Sequence, residues 1–387
     1  MNTTTPRVFI AATRQNEGKT TTSLGLASAL RAHFRRIGYI KPVGQRFVNV
    51  DEQKIDEDTI LMDKVYQLRC PLVDMSPIAI DPEFTRKYLE SANYDILVGK
   101  IQQAFDRVAW EKEFVLVEGS GHAGVGAVFD LSNARVAKLL NAKVIIVSQG
   151  GIGRPIDEVC VNQALFEKEG VEVIGVILNK VLPEKLDYIA KFARQGLKRK
   201  GLELLGVLPL LDLLSHPTME LIQEELRAEL LNRSTQMMNL VEEVVVGAMS
   251  VPQALCYFKK GVLVITPGDR EDIVLAAATT LFGQGTEGLA GILLTGGQRP
   301  SPSVMRVVEA LPFPVLLSKA ETYRVASKVH DVTIKTRPSD TRKIEVIRDL
   351  IAEHVDVRAI IQAVEIPREV PAAGAQPSSP PPFLIST

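Results

Sequence analysis

The chain has 387 residues, of which 46% are hydrophobic and 24% charged, and its formal net charge is −1. That length suits two domains better than one, and the composition is that of a soluble globular protein. The balanced charge gives no basic footprint for nucleic acid or a membrane surface, and no apolar run reaches the ~18 residues of a membrane span. Three scattered cysteines, Cys70, Cys160 and Cys256, fit no metal-ligand spacing and suit a reducing compartment. With no basic segment leading into an apolar core at the start, a secretion signal is not expected and the cytoplasm is.

The first predicted strand, Val8–Ala12, runs into a polar loop that ends Asn16-Glu17-Gly18-Lys19-Thr20-Thr21 and opens a helix over Thr20–Arg35. Loop and helix-terminal N–H groups at such a junction point at an anion. Thr13, Asn16, Glu17, Gly18, Lys19, Thr20 and Thr21 are therefore expected to line a phosphate site. Lys19 would reach the outer phosphates, and the Thr20 hydroxyl would ligate Mg²⁺. The loop departs from the usual pattern in one respect: Ala12 or Thr13 stands where a glycine normally opens it.

A second strand over Arg36–Pro42 carries Lys41, which could hold a transferring phosphoryl group or a carboxylate. An acidic stretch follows from Asp51 to Asp58, then helices over Ile60–Gln67 and Tyr94–Val108. Phe114–Val117 is a continuous apolar run ending at Glu118, where the second metal ligand should stand. Asp58 would complete the metal site; Asp56 is the alternative, and many acidic runs are simply solvated. Val144–Val147 is a further strand, Pro155–Glu169 a helix, and Val173–Leu178 a strand ending at Asn179. The amide of Asn179 could read an adenine edge. Apolar strands between amphipathic helices imply a parallel sheet covered on both faces, with functional residues at the carboxyl ends of its strands.

The pattern restarts near residue 212. A helix is expected over Met219–Leu231, followed by strands at Val262–Ile265, Gly291–Leu294 and Val315–Leu317. Helices are expected over Asp272–Leu281, Val304–Ala310, Thr322–Lys328 and Thr341–His354. Asp269 reads as a helix cap and Thr295-Gly296-Gly297 as a possible anion nest, although ordinary turns explain both. The reading is a nucleotide-binding domain over 1–211, a smaller α/β domain over 212–366, and a proline-rich tail over 367–387 too poor in apolar residues to order itself.

Gly18-Lys19-Thr20, Lys41-Pro42-Val43, Val117-Glu118-Gly119 and Leu178-Asn179-Lys180 resemble the dethiobiotin synthetase-like P-loop family. Across both domains the chain more closely resembles the amino-terminal regulatory region of long bacterial phosphate acetyltransferases. Lys41-Pro42-Val43-Gly44-Gln45, Gly268-Asp269-Arg270-Glu271-Asp272-Ile273, Ile292-Leu293-Leu294-Thr295-Gly296-Gly297 and Thr322-Tyr323 carry that likeness. The second set marks a DRTGG domain with its name-giving motif altered. The resemblance implies nucleotide or metabolite effectors and oligomer assembly. The proline-rich tail stands where the acetyltransferase domain would begin, so acetyl transfer is not expected.

The leading expectation is a cytoplasmic ATP- and Mg²⁺-binding regulatory protein with at most weak ATPase activity, a homo-oligomer with no nucleic-acid or membrane partner. Two alternatives stand beside it. One is an ATP-dependent ligase acting on a small carboxylate or carbamate held by Lys41, against which Arg14 and Gly44-Gln45-Arg46 replace that family's usual residues. The other is a non-catalytic scaffold.

Overall fold

A strand that is apolar throughout has no face to give to solvent, and the first strand is used accordingly. In the computed structural model, which describes residues 1–282, 288–332 and 334–365, Arg7–Ala12 (β1) is buried at every position. It lies inside a six-stranded sheet with Ile37–Ile40 (β2), Phe114–Glu118 (β3), Lys143–Gln149 (β4), Val173–Val181 (β5) and Leu204–Pro209 (β6). The order across the sheet is β6-β5-β4-β1-β3-β2. The pairings of β2 with β3, β3 with β1, β1 with β4 and β4 with β5 are all parallel. β1, β2 and β3 are buried at every position, so both faces of this sheet are covered.

Register decides what meets at the carboxyl ends. Ile10 is opposite Glu118 on one side and Ile145 on the other, and Gln149 is opposite Asn179. The helix Lys19–Arg31 (α1) therefore starts beside Glu118. It stops four residues before the expected Arg35. Phe34 leaves the helical path and packs on Phe114, with ring centroids 5.2 Å apart, which turns the chain into β2.

The acidic stretch is more ordered than its composition suggests. Phe47–Val50 and Gln53–Asp56 form an antiparallel hairpin around Asp51 and Glu52, both left-handed with φ of 47° and 65°. Two consecutive left-handed residues match the twist of a tight hairpin, a role usually signalled by Asn-Gly. Asp56 ends the hairpin and caps the helix Glu57–Tyr66 (α2), its Oδ1 accepting the Asp58 N–H at 3.0 Å.

Two compact units form among the described residues, one of residues 1–208 together with 347–365, the other of residues 209–346. The sequence reading placed 347–366 with the second domain. In the structure the chain from Ile347 to Glu365 belongs with the first unit and packs on α1, where a β-carbon at Gly25 would come within 2.1 Å of Ile351 Cγ1. Glycine lets the two helices approach more closely than any other residue would. The segment 367–387, expected to be disordered, lies outside the described residues, which end at Glu365.

In the second unit the sheet consists of Glu229–Leu230 (β7), Glu243–Val246 (β8), Val262–Pro267 (β9), Gly291–Thr295 (β10) and Val315–Leu317 (β11), in the order β7-β11-β10-β9-β8. Alternation along β9 splits its side chains between two cores, Val262 and Val264 on one face and Leu263 and Ile265 on the other. The helix from Met219 ends at Leu226 rather than Leu231. Arg227 turns left-handed at φ 49°, and Glu229–Leu230 then pairs antiparallel with β11. Asp269 does not cap the next helix, whose N-cap residue is Arg270. At Gly296-Gly297 the ordinary turn is found and not the possible nest, because both N–H groups donate to carbonyls, those of Ala320 and Ser318. Among the described residues no helix is long and apolar enough to cross a membrane.

Candidate functional site

The loop between β1 and α1 is held at its end by one glycine. Gly18 has φ 98°, a left-handed conformation that ordinary side chains resist, and a β-carbon there would fall 2.1 Å from Asn179 Nδ2. Asn179, two residues before the end of β5 and so inside a strand expected to stop there, donates from Nδ2 to the Glu17 carbonyl at 2.9 Å. The adjacent Lys180 donates from Nζ to the Asn16 carbonyl at 2.8 Å. The strand end thus grips the loop backbone at two successive carbonyls. An amide nitrogen carries two hydrogens, so Asn179 keeps one donor beyond the bond to Glu17, while its Oδ1 accepts the Lys180 N–H at 2.9 Å.

Thr13 turns its hydroxyl to Ser148 at 3.1 Å and donates its N–H to Val147. Arg14 reaches sideways to Glu158 at 2.6 Å. Glu17 is buried, and burial pushes its carboxyl above the usual range. Asn16 is exposed and left-handed at φ 65°.

Lys19 opens α1 and is buried. Among the described residues no carboxylate lies within 4.0 Å of its ammonium. Burial depresses its pKa to about 8, with Glu118 opposing that shift. A desolvated cation at the head of a helix suits an anionic ligand.

One residue further on, Thr20 donates from Oγ1 to Glu118 Oε1 at 2.9 Å. The other oxygen, Glu118 Oε2, accepts from the Tyr39 hydroxyl at 3.1 Å. Lys41 approaches from the end of β2. Its ammonium lies 3.0 Å from Asp56 Oδ1 and 3.8 Å from Glu118 Oε1, and it donates to Asp58 Oδ2. Its backbone N–H is anchored on the Met75 carbonyl at 2.8 Å. Burial alone would lower the pKa of Lys41, but Asp58, Glu118 and Asp56 together outweigh it and hold the ammonium protonated. Burial raises both Glu118 and Asp56, with the Lys41 charge opposing.

The structure therefore gathers Lys19, Thr20, Lys41, Asp58 and Glu118 at the carboxyl ends of β1, β2 and β3, with Asn179 beside the loop. Asp56 joins the cluster both as helix cap and as partner of Lys41. Tyr39 and Lys180 were missed by the sequence reading. Strand alternation could have found Tyr39, which shares a face with Lys41 two residues on. His122 stays local, its Nδ1 accepting the Gly124 N–H at 3.1 Å.

A parallel sheet with a glycine-capped, lysine-ending loop between its central strand and the following helix defines a P-loop nucleotide-binding domain. The chain belongs to the AAA domain family, whose model matches residues 6–218, more than half of its length. A DRTGG domain matches residues 221–332. Phosphate acetyltransferase from Pseudomonas aeruginosa is 30% identical over 382 residues, covering 94% of this chain and 52% of the relative. The enzyme of that name from Nitratidesulfovibrio vulgaris is 26% identical over 359 residues, covering 90% and 50%. The chain thus spans about half the length of the curated relatives it matches, and the resemblance to their regulatory region holds. A solved structure of the CBS and DRTGG domains of the regulatory region of Clostridium perfringens pyrophosphatase, complexed with its activator diadenosine tetraphosphate, is 17% identical. It covers 46% of this chain and 86% of that one, at a TM-score of 0.27.

Proposed function

We propose that the first unit binds ATP with Mg²⁺ and that the protein acts in the cytoplasm as a nucleotide-responsive regulatory protein, with ATP turnover weak or secondary. The observation that carries this reading is Lys19, a buried ammonium at the end of a strained glycine-capped loop with no carboxylate within 4.0 Å among the described residues. In this reading the loop from Thr13 to Thr21 wraps the phosphates, Lys19 neutralises the outer ones, and Lys41 contacts the terminal phosphoryl group. The free donor of Asn179 is available to a ring nitrogen of the base.

Among the described residues no group of three or more His, Cys, Asp or Glu side chains is arranged to hold a metal by itself, so this reading gives Mg²⁺ the oxygens near Thr20 together with those of the phosphates. A hydroxyl and the carboxylates of Asp58 and Glu118 are hard oxygen ligands, and Asp56 Oδ2 is buried without a hydrogen bond among the described residues. Mg²⁺ is commonly held by one or two carboxylates together with substrate phosphates rather than by an all-protein cage. When bound it would neutralise phosphate charge. The second unit, in this reading, supports a homo-oligomer and metabolite sensing, and no nucleic acid or membrane takes part.

Thermal unfolding with and without Mg-ATP tests the proposal. Ligand at about 100 times its dissociation constant adds ~2.7 kcal/mol, roughly a 5–10 °C rise for a domain of this size. The rise is expected in the parent and absent in Lys19→Ala; no rise in the parent rejects nucleotide binding. Phosphate release that is strongly stimulated by a diamino acid or dicarboxylate would replace regulation with a ligase.

A further inference from the structure

Lys41 and the proposed metal draw on the same oxygens. The Lys41 ammonium bonds Asp58 Oδ2 and lies 3.8 Å from Glu118 Oε1, the oxygen that also accepts from Thr20. Thr20, Asp58 and Glu118 are the residues assigned to the metal, and Asp56, 3.0 Å from the same ammonium, is their neighbour. A divalent ion bonded to these oxygens would stand within a few ångströms of a fixed positive charge in a buried place, where repulsion is poorly screened. The ion and the ammonium cannot both hold them.

Two features favour the ammonium as long as no other anion is offered. It is paired with carboxylates from α2 and β3, which outweigh the cost of its burial, and its backbone is pinned through Met75. A phosphate chain changes the balance. It offers Lys41 another anionic partner within reach of its flexible four-carbon stem, and it brings further oxygens to the metal.

We propose that Lys41 is the resident cation of the Asp56–Asp58–Glu118 cluster, and that it excludes divalent metal from those oxygens until a nucleotide phosphate draws the ammonium away. Metal and nucleotide therefore load together, and metal alone binds weakly. By linkage, each then raises the affinity of the protein for the other by the same factor. This inference rests on the nucleotide-binding reading for its second half only. The competition between Lys41 and metal stands on the cluster itself.

The test is a titration of the full chain with Mn²⁺ and no nucleotide, following free Mn²⁺ by electron paramagnetic resonance, in the parent and in Lys41→Met. Methionine keeps an unbranched, flexible side chain one atom shorter and removes its charge. The variant is expected to bind Mn²⁺ at least about tenfold more tightly than the parent, within the usual range of site coupling. Mn²⁺ should also raise the melting temperature of the variant while leaving the parent unmoved. Equal affinity in the two proteins overturns the proposal. Lys41→Gln, which retains a donor for Asp58, takes the place of Lys41→Met if methionine prevents folding. The parent is decisive by itself in one direction, since micromolar Mn²⁺ binding without nucleotide also overturns the proposal. Failure of nucleotide binding would show instead as the absence of a Mg-ATP thermal shift and would leave the Mn²⁺ comparison readable.

Discussion

Asn179 holds Gly18 in place by contact and Glu17 by hydrogen bond. Its side-chain nitrogen donates to the Glu17 carbonyl at 2.9 Å and fills the space a β-carbon on Gly18 would need, 2.1 Å away. The end of β5 thereby sets the shape of a loop 162 residues earlier in the chain.

Gly18→Ala should damage the loop from two directions. A left-handed conformation costs an alanine about 1–2 kcal/mol, and the new methyl group collides with the Asn179 amide. The expected result is a lower melting temperature together with loss of the Mg-ATP shift. A variant with parental stability and parental shift would show that this loop geometry does not matter to binding.

Asn179→Ala removes the bond to Glu17 and leaves a carbonyl without its partner, at a cost of about 1–3 kcal/mol. Comparing ATP with inorganic tripolyphosphate separates the two roles given to this residue. If Asn179 only braces the loop, affinity for both ligands should fall by the same factor. A larger loss for ATP is expected if its second donor also meets the base.

Nucleotide affinity should depend on pH through Lys19. Burial sets its pKa at about 8 in the free protein, whereas a phosphate beside the ammonium would raise it. Binding above pH 8 must then include uptake of a proton, so affinity should fall as pH rises past about 8, by up to about tenfold per unit. Isothermal titration calorimetry at pH 7, 8 and 9 measures this. Lys19→Arg, whose charge does not titrate in that range, should flatten the slope if it still binds.

Gly25→Leu tests the packing of the chain from Ile347 onward against α1. The added side chain meets Ile351 and the Ile347 carbonyl, and overpacking of this kind typically costs about 1–3 kcal/mol. A drop in melting temperature is expected, with faster proteolytic removal of the segment that follows residue 347. Unchanged stability would mean that this segment contributes little to the first unit.

Most of the fold was legible in the sequence because its signals are local. Continuous apolar runs at 8–12, 114–117 and 144–147 are buried strands, and Gly18-Lys19-Thr20 stands at a strand–helix junction because only a few residue types serve there. The misses were also local in origin. Asp51-Glu52 makes a hairpin turn without the usual Asn-Gly, Arg227 ends a helix without glycine, and Gly25 looks like a weak helix residue until its neighbour is seen.

The sequence by itself determined that a P-loop exists, which strand and helix carry it, and that Lys41 and Glu118 stand at the ends of apolar strands, with Asn179 near the end of another. Periodicity and composition suffice for that, since they act over a few residues. Only the tertiary structure decided that Lys41 is paired with Asp56 and Asp58 and lies near Glu118, that Tyr39 shares Glu118 with Thr20, and that Asn179 grips the loop. Those relationships depend on parallel register between strands far apart in the chain, and on which buried charges find one another once water is excluded.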